Sequence, residues 1–195
     1  MLYIPLLDAW LKAVVATPGL TGINDLAEAR RMLLEDSLRG VDVVSGFAGP
    51  IVDVGSGGGV PGIPLAASLP DREVTLLEAI GRKCDFLHEW AQPNVRVLQG
   101  RAEEQDTDLY GVAVAKALAK PPVAAEWCLP LVRLGGAVVL WVGPSVDTER
   151  VGRVAEQVGG ELAELRDGLL VLRKVRPTPE GFPRRTGVAS KRPLA

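Results

Sequence analysis

The stretch "DVGSGGGVPGIP", residues 53–64, decides how this chain folds. It begins at the end of a short apolar run, "IVDV" at 51–54, and contains five glycines. The apolar run predicts a buried strand, and the glycines predict a tight turn whose backbone takes positive φ angles or lies against a ligand. Open α/β sheets bind ligands at such turns, at the carboxyl ends of their strands. A tight turn that binds nothing is the alternative interpretation.

After this turn, short β-branched runs alternate with helical patterns. The predicted strands are "IVDV" at 51–54, "VTLLE" at 74–78, "VRVLQG" at 95–100, "VAVAKA" at 112–117, "AVVLWV" at 137–142, "GELAEL" at 160–165 and "GLLVLRKV" at 168–175. The predicted helices between them lie at 81–91, 121–133 and 146–158. Strands joined by crossover helices form a parallel, doubly wound sheet. The last two runs are so close along the chain that one of them should be antiparallel to the other strands.

Two helical patterns precede the sheet, "PLLDAWLKAVV" at 5–15 and "DLAEARRMLLEDSL" at 25–38. The predicted organisation is therefore a helical lead-in at 1–46, a sheet domain at 47–175 and a basic, proline-rich tail at 176–195. The fold class is α/β, with a doubly wound, mostly parallel seven-stranded sheet of the Rossmann-like type and a short N-terminal helical region.

The composition of the 195-residue chain excludes several kinds of site. Two cysteines, Cys84 and Cys128, and a single histidine, His88, are too few for a disulfide framework or a zinc cluster, and they disfavour a Ser-His-Asp triad. The first residues lack the basic region of a secretory leader, so we expect none, and the apolar runs are too short to span a bilayer. We therefore expect no metal, no membrane association and a cytoplasmic location.

The glycine stretch fits two classes of ligand. Gly57, Gly59 and Gly62 match G-x-G-x-x-G, the dinucleotide fingerprint, whereas Gly55, Gly57 and Gly59 match D-x-G-x-G-x-G, the first motif of S-adenosylmethionine methyltransferases. Asp53 favours the second class, because a carboxylate suits a cationic ligand better than a pyrophosphate. The prolines at 61 and 64 also interrupt the helix that a nicotinamide fingerprint requires. Glu78, at the end of the second strand, can accept hydrogen bonds from ribose hydroxyls under either interpretation.

Four stretches, "DVGSGGGVPGIPLA", "VTLLEAIGRKCDFL", "RAEE" and "LVLRKVRPTPEGFPRRTGVASKRPL", together resemble the RsmG (GidB) family, bacterial guanine-N7 methyltransferases of 16S ribosomal RNA. The resemblance extends from about residue 20 to the end, and the tail is similar to that of actinobacterial members. It implies a class I methyltransferase fold, S-adenosylmethionine as cofactor, and methyl transfer to guanine 527 of 16S rRNA, either free or in the 30S particle. We also expect the protein to be a monomer.

The resemblance also implies roles for individual residues. Those that correspond to the cofactor site of the family are Asp53, Gly55, Gly57, Gly59, Val60, Glu78 for the ribose, and Ala102 and Glu103 along the adenine. Lys116 corresponds to an arginine that faces the active site, and we expect it to be the catalytic-site cation, in contact with a phosphate of the RNA. The alternatives are a solvated acid at Glu103 and an ordinary surface lysine at Lys116.

Three positions depart from the family pattern. Leu33 stands where a histidine is usual, Gly111 replaces an aspartate in the fourth strand, and Val142 replaces a lysine after the fifth. These departures leave the glycine loop intact, and we expect any effect to fall on RNA docking or on catalysis.

Charge is distributed unevenly along the chain, since residues 173–195 carry seven basic side chains and one Glu. The seven are Arg173, Lys174, Arg176, Arg184, Arg185, Lys191 and Arg192. Prolines among them predict an extended, non-helical arm suited to RNA phosphates. If about five of them contact phosphates, the logarithm of the RNA affinity should fall with the logarithm of the salt concentration, with a slope of about −3.5. The alternative is a solvated tail that maintains solubility.

Attack by guanine N7 needs no general base, because this nitrogen carries a lone pair and no proton. The shortage of histidine and cysteine is therefore compatible with the reaction. Three other functions stay open: a small-molecule methyltransferase of the same fold, a nicotinamide-dependent oxidoreductase, and an RNA-binding relic without turnover.

Overall fold

The computed structural model describes residues 4–195. They form three layers, with a seven-stranded sheet between two layers of helices. The strands are β1 (Ile51–Val54), β2 (Val74–Glu78), β3 (Val95–Gln99), β4 (Tyr110–Lys116), β5 (Val132–Trp141), β6 (Gly160–Arg166) and β7 (Leu169–Lys174). Their order in the sheet is β3-β2-β1-β4-β5-β7-β6. All seven strands predicted from the sequence are present.

The strands from β1 to β5 are parallel, and β7 is antiparallel to both of its neighbours, β5 and β6. This arrangement confirms the predicted doubly wound sheet with one reversed strand. The β6–β7 hairpin turns through Asp167 and Gly168, whose φ angles are 51° and 74°. Two positive φ angles in a two-residue turn match the right-handed twist of the hairpin strands. The chain order reverses between β1 and β4, which makes their carboxyl ends the expected place for a ligand.

The helices are α1 (Ile4–Ala16), α2 (Leu26–Ala29), α3 (Asp36–Leu38), α4 (Val41–Ser45), α5 (Gly62–Ser68), α6 (Gly81–Trp90), α7 (Pro121–Cys128), α8 (Thr148–Gln157) and α9 (Val188–Lys191). A π-helical segment, Arg30–Glu35, joins α2 to α3. Asp25 caps α2 by accepting a hydrogen bond from the Glu28 backbone N–H at 2.8 Å. Aspartate is a preferred residue at this position because its side chain satisfies a backbone N–H that has no partner within the helix.

Two details differ from the prediction. The helix predicted at 121–133 ends at Cys128, and a 3₁₀ turn, Leu129–Leu131, leads directly into β5. Pro130 has no backbone N–H to continue an α-helix, which explains the early end. The prolines at 61 and 64 do not prevent a helix, because α5 begins at Gly62. Pro64 lies in the first turn, where the backbone N–H groups have no partner within the helix.

Each face of the sheet packs against its own hydrophobic core. One core joins α1, α5 and α6 to the sheet, and the other joins α7 and α8 to the opposite face. The lead-in belongs to the first core, where Trp10, Leu11 and Val14 are at most 1% exposed. The Trp10 indole N–H also donates to the Gly58 carbonyl at 2.8 Å. The lead-in therefore packs directly under the glycine loop.

Candidate cofactor site and active-site edge

The glycine loop after β1 is held by backbone hydrogen bonds to β2. The N–H groups of Gly55 and Ser56 donate to the Leu77 carbonyl at 2.8 and 3.1 Å. Gly55 has a φ of 71°, and a Cβ placed there would lie 2.4 Å from Cδ1 of Leu118. The positive φ therefore favours glycine at position 55, and a larger residue would also displace the Leu118 side chain.

Glu78, at the carboxyl end of β2, connects two loops of this edge. Its Oε2 accepts from the Gly57 N–H and its Oε1 from the Ile80 N–H, both at 2.9 Å. The residue is only 6% exposed, so these bonds compensate for its burial. Each carboxylate oxygen has a further lone pair with which it can accept from a ligand hydroxyl. This geometry supports the ribose-binding role expected for Glu78.

A cavity of about 330 Å³ opens beside this pair of loops. Its walls come from the carboxyl ends of β1, β2 and β4 and from the loop after β3; they are Val54, Gly55, Leu77, Glu78, Ala79, Ile80, Lys83, Gly100, Arg101, Ala102, Glu103, Ala117, Leu118 and Trp127. Four of the residues predicted for the cofactor, Gly55, Glu78, Ala102 and Glu103, come together here. The volume lies in the range of small-molecule sites.

The chemistry of the walls fits an adenosine group. Apolar side chains such as Leu77, Ile80 and Leu118 can cover the faces of a flat base, and Ile80 is 45% exposed. Carboxylates at Glu78 and Glu103 can accept hydrogen bonds from hydroxyl or amino groups. The bare backbone at Gly55 allows the rest of a ligand to approach closely.

Sequence reasoning missed several wall residues. Ile80 and Lys83 follow Glu78 so closely that the end of β2 could have identified them, and Arg101 directly precedes the predicted Ala102. Trp127 on α7 packs partly against the second core and also lies in the cavity wall, and nothing in the local sequence pattern indicates the second position.

Asp53 does not face the cavity, and its predicted contact with a cationic ligand is wrong. Side chains alternate along a strand, so Val54 faces the cavity side whereas Asp53 faces α5. Asp53 is fully buried, and its Oδ2 accepts from the Gly62 N–H at 3.0 Å, while Oδ1 has no partner among the described residues. Burial raises the pKa of Asp53 from 3.8 to about 7. The side chain therefore anchors the start of α5 beneath the loop.

The other predicted loop residues support the site from behind the cavity wall. Gly57 contributes the N–H that Glu78 accepts, and Val60 packs partly against the first core. Gly59 is buried at a φ of 93°, and a Cβ there would lie 2.4 Å from Cδ1 of Ile63. These three residues shape the loop, and direct contact with a cofactor stays a prediction for them.

Lys116 ends β4 at the same edge of the sheet and is already paired. Its ammonium lies 2.5 Å from Oδ2 of Asp36 in α3 and also donates to the Met32 carbonyl. The Lys116 side chain is 13% exposed. Asp36 is itself held in place, since its carbonyl accepts from the Trp141 indole N–H at 2.8 Å and its Oδ1 contacts Arg39. The sequence "EDSL" at residues 35–38 of the lead-in therefore fixes the position of Lys116.

The three departures from the family pattern lie in different places. Gly111 is at the amino end of β4, away from the cavity, and a Cβ there would lie 1.9 Å from the Ala48 carbonyl oxygen. An aspartate would not fit this backbone. Leu33 is half-buried in the π-helical segment, and Val142 is half-buried just after β5. These positions leave the cavity walls unchanged.

The first three cations of the predicted RNA arm lie at the wrong end of the sheet. Arg173 pairs in register with Ala137, which pairs with Val112 and so with Ile51, the first residue of β1. The amino ends of the parallel strands are opposite the cavity. Arg173 lies over the Phe47 ring at 5.3 Å, and the Arg176 guanidinium donates to a backbone carbonyl of α8 at 2.7 Å.

Lys174 is not available to RNA at all, since it is 1% exposed. Its ammonium donates to the Leu129 carbonyl at 2.9 Å and to Thr178 Oγ1 at 2.6 Å, and lies 3.5 Å from Asp108 Oδ1. Burial lowers the pKa of Lys174, and the nearby Asp108 opposes that change. The prediction of a phosphate contact for Lys174 is corrected: the residue is a buried, internally paired lysine.

The rest of the tail is neither extended nor free. It contains α9, and Arg184 forms a two-pronged ion pair with Glu126 of α7, with N–O distances of 2.5 and 2.6 Å. The prediction of an extended, non-helical arm is therefore wrong, and Arg184 is engaged internally. Three of the seven predicted cations remain exposed on this part of the chain: Arg185, Lys191 and Arg192.

Among residues 4–195, no helix combines the length and the apolar character needed to cross a membrane. The same range contains no group of three or more His, Cys, Asp or Glu side chains arranged for a metal ion. Cys84 and Cys128 are free and buried, and burial raises the pKa of both thiols.

Solved structures share the architecture. The 16S rRNA N2 G1207 methyltransferase RsmC of T. thermophilus, in complex with AdoMet and guanosine, has a TM-score of 0.55 at 17% identity, covering 75% of this chain and 40% of that chain. TYW2 of P. horikoshii, in complex with MeSAdo, has a TM-score of 0.55 at 14% identity, covering 72% and 60%. These similarities confirm the Rossmann-like fold of class I methyltransferases.

Sequence comparison identifies the family. Residues 3–158 match the model of the GidB family, rRNA small subunit methyltransferase G. The ribosomal RNA small subunit methyltransferase G of Symbiobacterium thermophilum is 34% identical over all of this chain and 88% of that protein. The protein of the same name from Synechococcus elongatus is 36% identical over 90% of this chain and 82% of that protein. Because most of its length matches and its glycine loop is intact, this chain belongs to the rRNA small subunit methyltransferase G (GidB) family.

Proposed function

We propose that this chain transfers the methyl group of S-adenosylmethionine to N7 of a guanine in 16S ribosomal RNA, at the position numbered 527 in the family. Family membership supports the class of enzyme and the cofactor. The observation that carries the proposal within this structure is the cavity between Gly55, Glu78 and Ala102, at the switch point of the sheet.

The residues of this chain contribute mainly by binding and orientation. S-adenosylmethionine, when bound, supplies a methyl group on a positively charged sulfur. Glu78 accepts hydrogen bonds from the ribose hydroxyls, and Ala102 and Glu103 lie along the adenine. The backbone at Gly55 leaves room for the methionine part. Because N7 needs no deprotonation, alignment of the reacting atoms is the principal requirement, and positioning of that kind can supply roughly 7 to 11 kcal/mol.

The RNA must present an accessible guanine. The major groove of an RNA helix is deep and narrow, so the target base lies in a loop or is otherwise unpaired. Lys116 is placed at the strand end beside the cavity, where it can meet a phosphate next to the target. Methyl transfer leaves the guanine ring positively charged, which disfavours a cation against the ring itself. A phosphate that binds Lys116 must compete with Asp36, its present partner.

We further propose that the protein acts in the cytoplasm as a monomer, on the 30S particle or on free 16S rRNA. Transfer of a labelled methyl group from S-adenosylmethionine to both substrates, followed by mapping of the modified base, tests the proposal. One N7-methylated guanine in 16S rRNA is the expected product. Labelling of neither RNA, with cofactor binding intact, would leave the RNA-binding relic as the better account.

Deleting the tail is not a suitable test of the alternative function, that of a small-molecule methyltransferase of the same fold. Residues 176–195 pack against the protein, so their deletion would disturb more than RNA contacts. The exposed cations Arg185, Lys191 and Arg192 can instead be changed together to glutamine. Weakened RNA methylation with unchanged cofactor affinity is expected, and unchanged RNA methylation would argue against contact between these side chains and the RNA.

A further inference from the structure

The C-terminal segment, defined here as residues 176–195, runs from the amino edge of the sheet back to the cofactor cavity. It leaves β7 beside α8, passes over α7, and reaches the 3₁₀ turn Ala102–Glu104 that follows β3. The segment therefore touches two elements, α7 and this turn, that both contribute residues to the cavity wall.

The first contact is the ion pair between Arg184 and Glu126. Two guanidinium donors engage the two carboxylate oxygens, and the Glu126 side chain is 3% exposed. A buried carboxylate that loses its ionic partner is strongly unfavourable, so this pair holds the segment firmly against α7. The neighbour of Glu126 in sequence is Trp127, which forms part of the cavity wall.

The second contact is with the cavity wall itself. The Gly187 N–H donates to Oε1 of Glu103 at 3.0 Å, and the Thr186 hydroxyl donates to Oε1 of Glu104 at the same distance. Glu103 lines the cavity and is the acid expected along the adenine. One carboxylate therefore faces the cofactor site and is oriented by the C-terminal segment.

Apolar packing completes the attachment. Ala189 in α9 is 1% exposed, and Phe182 and Leu194 pack against the second core. The last carbonyl, that of Ala195, accepts a hydrogen bond from Arg150 on α8. The segment is thus attached at its middle and at its end, which distinguishes it from a solvated tail.

We propose that the C-terminal segment is a positioning element of the cofactor site, which holds Glu103 and the α7 wall in the geometry that binds the adenosine part of S-adenosylmethionine. This inference rests on the proposed function for the identity of the ligand. If the segment strengthens cofactor binding, the cofactor must strengthen attachment of the segment by the same factor, because coupling between two binding equilibria is reciprocal.

The first test measures the affinity for S-adenosylmethionine by calorimetry in the absence of RNA. Arg184→Gln should weaken binding about fivefold or more. The matched control is Arg153→Gln, which removes an exposed arginine from the neighbouring helix α8 and should leave the affinity within about twofold of the parent value. Arg184→Lys, which keeps the charge but not the two-pronged geometry, should lie between the two.

The second test uses the unaltered protein and so does not depend on how well a variant folds. Because the segment is attached on both sides of Arg185 and Lys191, detachment should make trypsin cut faster after these two residues. Saturating S-adenosylmethionine should slow these cuts about fivefold relative to the cut after Arg166, an exposed residue at the β6–β7 turn.

The two possible failures are distinguishable. If the parent protein binds S-adenosylmethionine, but Arg184→Gln binds it equally well and the cofactor does not slow the cuts, the inference is overturned and the proposed function stands. If the parent protein does not bind S-adenosylmethionine, both are overturned.

Discussion

The glycine loop at residues 55–62 contributes Gly55 to the cavity wall, and the C-terminal segment at 176–195 contacts two elements of that wall. The two regions are held in place in different ways. The loop depends on local conformation: Gly55, Gly57 and Gly59 all have positive φ angles, a property that each glycine confers by itself. The segment depends on distant partners, since Arg184 is engaged by Glu126. The conformation of the glycine loop can be predicted from the residues of the loop itself. The role of a charged residue in the C-terminal segment cannot, because it depends on a partner elsewhere in the chain.

The largest expected effect concerns the carboxyl group buried beneath the loop. The pKa of Asp53 is raised to about 7 by burial, so its stabilising contribution is fully present below its ordinary pKa of 3.8 and is lost as pH rises through about 7. Asparagine does not titrate, so the Asp53→Asn variant should not lose stability in this way as the pH rises. Between pH 4 and 8, the free energy of unfolding of the parent should fall relative to that of Asp53→Asn by on the order of 3 kcal/mol.

Denaturant unfolding of both proteins across this pH range measures the difference. A constant difference would mean that Asp53 does not titrate in that range, and the loop would then rest on a charged carboxylate.

The second prediction concerns the end of β7, where two adjacent cations have different surroundings. Lys174→Met should lower the free energy of unfolding by about 2 kcal/mol, because it removes a buried ammonium and leaves Asp108 without its partner. The matched change Arg173→Met affects an exposed side chain whose main contact is the Phe47 ring, and it should cost at most about 1 kcal/mol. Equal effects of the two changes on stability would remove the distinction between them.

The third prediction compares two glycines in the loop that share a positive φ. Gly55→Ala should weaken binding of S-adenosylmethionine about tenfold or more, since the new methyl group would displace Leu118 from the cavity wall. Gly57→Ala should have a smaller effect, because nothing lies closer than 3.9 Å to the added carbon and only the conformational cost remains. Calorimetry without RNA provides both affinities, and the reverse order would contradict the cavity assignment.

The fourth prediction addresses Lys116, whose ammonium is shared with the lead-in. Lys116→Met should lower kcat/KM for RNA about fivefold or more, in line with a charge-assisted hydrogen bond, and leave the affinity for S-adenosylmethionine within about twofold. Asp36→Asn keeps the side-chain shape but weakens the competing ion pair, and should lower the KM for RNA. A fall in cofactor affinity instead would place Lys116 in the cofactor site.

The smallest effect is expected in the salt dependence of RNA binding. Lys174 and Arg184 are internally paired, and Arg173 and Arg176 lie at the edge opposite the cavity. Three of the predicted cations, all within residues 185–192, are then left for RNA. Contacts from these three with single-stranded RNA give a slope of about −2, in place of about −3.5 for five. Filter binding at several salt concentrations measures the slope, and a value near the steeper figure would restore the extended arm.

The sequence was sufficient for the sheet and for the walls of the site that follow strand ends. The seven strands, the reversed strand and the positions of Gly55 and Glu78 follow from apolar periodicity and local turn chemistry. Ala102 was predicted only from the resemblance to the family. The glycine motif predicted that Asp53 contacts a ligand. The alternation of side chains along β1 could have shown that Asp53 points away from the face on which Val54 lies.

The contacts that the sequence did not predict have a common physical origin. The burial of Lys174, the pairing of Arg184 with Glu126 and the contact of Lys116 with Asp36 all join residues far apart in the chain. No local pattern specifies such partners, since composition counts charges and does not show which of them are neutralised within the fold.

The most direct test of the central claim is calorimetric titration of the purified protein with S-adenosylmethionine and, separately, with NAD. The account predicts one site for S-adenosylmethionine, weakened in Gly55→Ala, and no measurable binding of NAD. Binding of NAD in preference to S-adenosylmethionine, or binding of S-adenosylmethionine that Gly55→Ala does not affect, would contradict it.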